Sequence, residues 1–202
     1  RTNWKRIRKH IDTDWAEELK RDQHHHIYHM IMLPFYKEEK ALVEKTLATL
    51  LDCKYDTKKM IVVLAAEERA GVESQRVAGS MKEKYGEKFG HFIVTVHPDG
   101  IPGELAGKGS NIAYAAECAR KEVLDKYNID YGNVLVSAFD IDTIVYEQYF
   151  ACLTLMFLNS ERPYRTSFQP VPVFNNNIFE APAVSRVVAY SATFWQMVQQ
   201  ER

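Results

Sequence analysis

The sequence predicts an α/β fold: a mostly parallel central sheet with helices on both faces. Two observations carry this. Short runs rich in β-branched and other apolar residues alternate with longer stretches of helical period, the pattern of right-handed β-α-β units. The short runs are continuously apolar, as strands are when helices cover both faces. Composition agrees. The chain has 202 residues, 46% hydrophobic and 26% charged, enough for one domain with a sizeable core. Its formal net charge of −1 gives no global pull on nucleic acid. Cys53, Cys118 and Cys152 are far apart and lack metal-ligand spacing, so they read as reduced thiols in a cytosolic setting.

Residues 1–26 are polar and charged and read as an N-terminal segment or linker. The opening RTNWKRIRKH reads as a solvated linker, with a juxtamembrane arm on anionic lipid as the alternative. His24, His25 and His26 lack zinc-motif spacing and read as a solvated turn. Residues 27–202 read as the domain itself. IYHMIML (27–33), closed by Pro34, is the first strand. Val43, Leu47, Leu50 and Leu51 mark one face of a helix. MIVVLAA (60–66) is the second strand, 73–85 a polar helix and HFIVTVH (91–97) the third strand. A Gly/Pro loop then leads to a helix with Ile112, Ala116, Ala119 and Val123 on one face and Ser110 as its N-cap. NVLVSAF (133–139) is the fourth strand, and Tyr146, Phe150, Leu153 and Phe157 line the next helix. A membrane span needs about 20 mostly apolar residues. The stretch 144–158 is shorter and holds Glu147, Gln148 and Thr154, so it reads as a buried helix. RTSFQPVPVFNNN (165–177) reads as a strand or edge segment whose FNNN forms a turn or touches a sugar, and 184–200 as a helix with Phe194 and Trp195 in the core, sugar stacking by Trp195 being the alternative.

In open α/β sheets, ligands bind beyond the carboxyl ends of the strands. Those ends carry the chemistry here. Asp140 and Asp142 follow the fourth strand. In an extended segment they face the same way, and one or two carboxylates suffice for Mg²⁺ or Mn²⁺ when phosphates and water complete the shell. GKGSN (107–111) opens a helix, whose positive end and Lys108 suit phosphate. It is not a P-loop, because position 102 is Pro and Gly109 follows Lys108. In PFYKE (34–38), Tyr36 offers a stacking face for a base, and Glu38 either holds a ribose hydroxyl or caps the next helix. Glu67 and Glu68 end the second strand, where an acidic group binds ribose or a base edge; Glu67 is the favoured one.

Together these residues resemble a family-2 glycosyltransferase with the nucleotide-sugar-binding GT-A fold, over 27–202. PFYKE resembles the family's Pro-x-Tyr-x-Glu, Lys108 and Asn111 its Lys and Asn before the metal motif, and Asp140-Ile141-Asp142 its D-x-D. Ala65-Ala66-Glu67-Glu68 stands where Asp-Asp-Gly is common. The resemblance implies a nucleotide-sugar site of Pro34, Tyr36, Glu38, Glu67, Lys108, Asn111 and Asp140. It implies Mn²⁺ or Mg²⁺ on Asp140 and Asp142, with Asp142 the more direct ligand. The donor would be UDP- or GDP-linked and the acceptor an unknown glycan or lipid. No Glu-Asp pair occurs to supply the acceptor-activating base. The expectation is therefore a donor-binding piece of a longer cytoplasmic enzyme, with a membrane anchor in the full-length protein left open. Three rivals stand beside it. A haloacid-dehalogenase-type phosphatase needs Thr one position after Thr143. A sugar-1-phosphate nucleotidyltransferase needs a Gly- and Arg-rich loop after the first strand. A non-catalytic nucleotide-sugar-binding module needs no base.

Overall fold

The computed structural model describes residues 14–17, 26–170, 173 and 182–200. The basic opening, His24, His25 and the FNNN stretch at 174–177 lie outside them. The chain falls into two units, 1–164 and 165–202, and the sheet belongs to the first. Strands β1 (Tyr28–Phe35), β2 (Met60–Glu67), β3 (His91–His97) and β4 (Val134–Ala138) form one sheet in the order β3-β2-β1-β4. All three pairings are parallel, with His29 opposite Met60, Ile61 opposite His91 and Tyr28 opposite Val134.

The order follows from the handedness of the crossovers. Helices α1 (Lys40–Leu51) and α2 (Val72–Tyr85) carry the chain from β1 outward to β3. They cover one face, packing Val43, Leu47, Leu50, Ala78 and Met81 against Ile31, Leu33, Phe35, Val62 and Leu64. Helix α3 (Lys108–Ala119) then reverses direction, and a right-handed crossover that reverses direction must pass over the opposite face. There Ala115 and Ala119 cover Met30, Met32, Ile61, Val63 and Ala65. Alternate residues of each strand thus feed two cores, the period-2 consequence of the pleat. Helix α4 (Tyr149–Leu158) returns to the first face through Phe150. β2 is buried at every position. Each fully buried Ile, Val or Leu there contributes about 1.5–3 kcal/mol. β4, at the edge, leaves Val136 and Ala138 exposed. The stabilisation is therefore concentrated in β1 and β2.

Two details of packing matter later. His29 on β1 is wholly buried beneath α4, with Nε2 2.8 Å from Thr154 Oγ1 and its ring 4.7 Å from that of Tyr55. On one side of the ring the bonds run in a single direction: Nε2–H donates to Thr154, the Thr154 hydroxyl to Tyr55, and Tyr55 to the Ile27 carbonyl, while Nδ1 has no hydrogen-bond partner among the described residues. Gly90, just before β3, donates its N–H to the Thr57 carbonyl at 2.8 Å. A Cβ on Gly90 would stand 2.2 Å from the Lys58 carbonyl oxygen.

Three sequence expectations need correction. Ser110 is not the N-cap of α3. The helix starts at Lys108, because the Asn111 N–H already donates to the Gly107 carbonyl at 3.1 Å, and the Ser110 hydroxyl turns back to the Leu105 carbonyl. Tyr146 does not line α4; it precedes the helix in a turn and is exposed. In the second unit, helix α5 (Ala183–Gln200) exposes Phe194 and Trp195 along with Val184, Val187, Val188 and Tyr190, so neither aromatic is core. Among the described residues no helix is long and apolar enough to cross a membrane.

Candidate functional site

The chain runs β1 to β2 to β3 in one direction and then returns to place β4 on the other side of β1. The carboxyl ends of β1 and β4 therefore flank the point where the winding reverses, and a crevice opens there by topology. It measures about 360 Å³, within the range of small-molecule sites. Pro34, Tyr36, Glu38, Glu67, Lys108, Asp140 and Asp142 all line it.

β1 delivers the first group. Past Pro34 and Phe35 the chain leaves the sheet, and the Tyr36 N–H donates to Glu38 Oε2 at 2.7 Å. Glu38 thus closes the turn that presents the half-exposed Tyr36 ring. The Arg69 guanidinium lies 5.2 Å and the Lys37 ammonium 5.0 Å from the ring centroid, both within cation–π range.

β2 delivers two glutamates with different fates. Glu67 is nearly buried, lines the crevice and is gripped by the Arg69 side chain. Glu68 points to the β3 loop and accepts the Asp99 N–H at 2.9 Å. Beyond Glu67 lies a cavity of about 20 Å³, room for roughly one water, lined also by His97 and Glu104. His97 Nε2 stands 3.3 Å from Glu104 Oε2, in ion-pair reach but without hydrogen-bond geometry. Together with Glu68 it ties down a loop that turns at Gly100 (φ 72°) and Gly103 (φ 80°), a left-handed backbone that favours glycine.

β4 and α3 complete the crevice. Asp140 and Asp142 do not sit in an extended segment. The Thr143 N–H donates to the Asp140 carbonyl at 2.9 Å, so the stretch is a turn. The residue between them does the orienting. Ile141 is buried in the core, and its carbonyl accepts the Thr46 hydroxyl of α1. With the middle side chain anchored inward, both carboxylates are left exposed on the crevice. Lys108, the first residue of α3, reaches across and pairs with Asp140.

Asn111 is the exception among the predicted residues. It is fully buried, does not line the crevice, and donates from Nδ2 to the Ala65 carbonyl at 2.7 Å. Its Oδ1 has no hydrogen-bond partner among the described residues. The helix start at Lys108 turns Asn111 toward the sheet, where it fastens α3 to β2 and so fixes the reach of Lys108. The residue that sequence reasoning passed over is Arg69. Its only prior signal was a basic residue two positions after Glu67 at a strand end.

The crevice sets Glu38, Glu67, Asp140 and Asp142 against Lys108, with Arg69 balancing Glu67 from behind. Such a lining attracts a cation. Among the described residues no group of three or more His, Cys, Asp or Glu is placed to hold a metal. Two carboxylates with room beside them suit Mg²⁺ or Mn²⁺ completed by phosphate and water, and do not suit an ion caged by protein alone.

Compared with family models, curated proteins and solved structures, the chain matches none.

Proposed function

We propose that this chain binds a nucleoside-diphosphate sugar with Mn²⁺ or Mg²⁺ and serves as the donor half of a family-2-like glycosyltransferase of GT-A type. The observation that carries the reading is convergence. Tyr36, Glu67, Lys108, Asp140 and Asp142 come from four separate segments and line one crevice at the β1/β4 reversal. In this reading the Tyr36 face stacks the base, and Glu67, held by Arg69, takes the ribose or a base edge. Lys108 meets the diphosphate as a point charge. Asp142, with Asp140 beside it, holds the cation. When bound, the cation neutralises the diphosphate and stabilises it as it leaves. The sequence has no Glu-Asp pair to supply a base for the acceptor hydroxyl, so in this reading the chain binds the donor better than it transfers the sugar.

Calorimetry of the chain with UDP-, GDP- and dTDP-sugars, in Mn²⁺ and in EDTA, tests this. The expected result is nucleotide binding with a metal-dependent part. Asp142→Asn should abolish that part and leave nucleoside binding intact, with Asp140→Asn doing less harm. Undiminished metal dependence in Asp142→Asn would return the turn to a solvated loop. Sugar transfer by a longer chain then separates an enzyme from a binding module.

A further inference from the structure

The Lys108–Asp140 pair joins two groups to which the donor site, as read above, assigns different ligands: phosphate for the ammonium and the cation for the carboxylate. We propose that Lys108 makes the crevice select a divalent cation and a diphosphate together over either alone, by holding Asp140 until phosphate draws the ammonium away. This rests on the proposed donor site and specifies how that site chooses its ligand.

Three features support the exchange. The pair bridges two elements, the start of α3 and the turn after β4, across the crevice. Its side chains are 52% and 70% exposed, and a pair so exposed shifts a binding constant by about 5-fold at most, so it is readily broken. The backbone on both sides is fastened, by Ile141 and Thr46 beneath Asp140 and by Asn111 beneath Lys108. Only the flexible lysine stem has to move.

The charges make the outcome cooperative. A cation arriving alone must displace the ammonium from Asp140 and sit beside it unscreened. A diphosphate arriving alone meets the remaining carboxylates, with the lysine charge already engaged. Arriving together, phosphate takes Lys108 and the cation takes Asp140, so both new pairs replace one weak one. Linkage requires the effect to be reciprocal: each ligand raises the other's affinity by the same factor.

The test measures Mn²⁺ alone, UDP or GDP alone, and both together on the whole chain, by calorimetry and Mn²⁺ electron paramagnetic resonance. Lys108→Met should bind free Mn²⁺ about 2–5-fold more tightly than the wild type, while its affinity for UDP in Mn²⁺ falls about 10-fold. Those opposite signs separate exchange from simple phosphate binding, which predicts only the loss. Lys108→Arg keeps the pair and should stay near the wild type for free Mn²⁺. In an Asp140→Asn background the Lys108→Met gain for Mn²⁺ should vanish. If that gain persists without Asp140, or never appears, Lys108 does not gate the carboxylate and the inference is wrong. If the wild-type chain binds no nucleotide with Mn²⁺, it is the donor-site reading that fails.

Discussion

His29 shows how far one side chain can set the behaviour of the fold. Burial without charge compensation lowers its pKa to about 3, from an ordinary value of 6.5. The unfolded chain therefore binds a proton that the folded chain refuses between those values. Stability contributed by neutral His29 is fully present above about pH 6.5 and is lost progressively as pH falls toward 3. The expected slope from this group approaches about 1.4 kcal/mol per pH unit. Urea unfolding of the wild type and His29→Gln across pH 4–7 should show the difference curve flattening in the variant. Parallel curves would mean that the imidazole is not protonation-silent in the fold. Asn111 makes a second case. Asn111→Ala removes the buried bond from Nδ2 to the Ala65 carbonyl, at a cost of about 1 kcal/mol, and should weaken diphosphate binding through Lys108 although Asn111 touches no ligand. Unchanged thermal unfolding and unchanged affinity would overturn that assignment. Tyr36, Lys108 and Asp142 were legible in the sequence because the strand-end rule needs only the strand, not the side-chain direction. Asn111 was misplaced because the cap lies at Gly107, three residues before Ser110, and each residue of shift turns the side chains by about 100°. Arg69 stayed hidden because its role lies in which carboxylate and which ring it reaches.

At the scale of elements, the strands read well because each is a compact apolar run, and β3 falls on the predicted residues 91–97. The helices read less well. α2 was placed to within one residue, but its buried face of Ser74, Ala78, Met81 and Tyr85 is a stripe too mixed to stand out. The turn Arg120–Asp125 continues α3 as a π-helix, so Leu124 packs beside the expected Val123, which a strict 3.6 period does not foresee. Asp140 and Asp142 do share one crevice as expected, but because Ile141 is anchored, not because the segment is extended. Gly90 carries the element-scale prediction. Its missing Cβ lets the start of β3 close on the turn before β2. Gly90→Ala should cost about 1–3 kcal/mol by forcing that backbone apart, whereas Gly79→Ala, a helical site with open space, should be neutral or slightly stabilising. Equal melting temperatures for the two variants would refute the close approach.

For the whole molecule, periodicity gave the α/β class but not the order β3-β2-β1-β4, since alternation alone does not say where the winding turns back. That reversal created the crevice. Both the sheet and the crevice lie in the first unit. A chain of residues 14–164 should therefore unfold cooperatively and match the whole chain in the nucleotide and metal titrations proposed above; a difference in either would show that 165–202 supplies part of the site. The all-parallel order also bears on how the molecule is assembled. β1 is made first yet ends up interior, and it must wait for β4, more than a hundred residues later, to gain its second neighbour. Pairing across so long an intervening stretch is slow, because closure entropy is spent before contacts repay it. As the chain leaves the ribosome, β1, β2 and β3 can join while one side of β1 still lacks a partner. The crevice thus exists only once β4 has joined β1, and any ligand that occupied it would act as a latch on that step of folding.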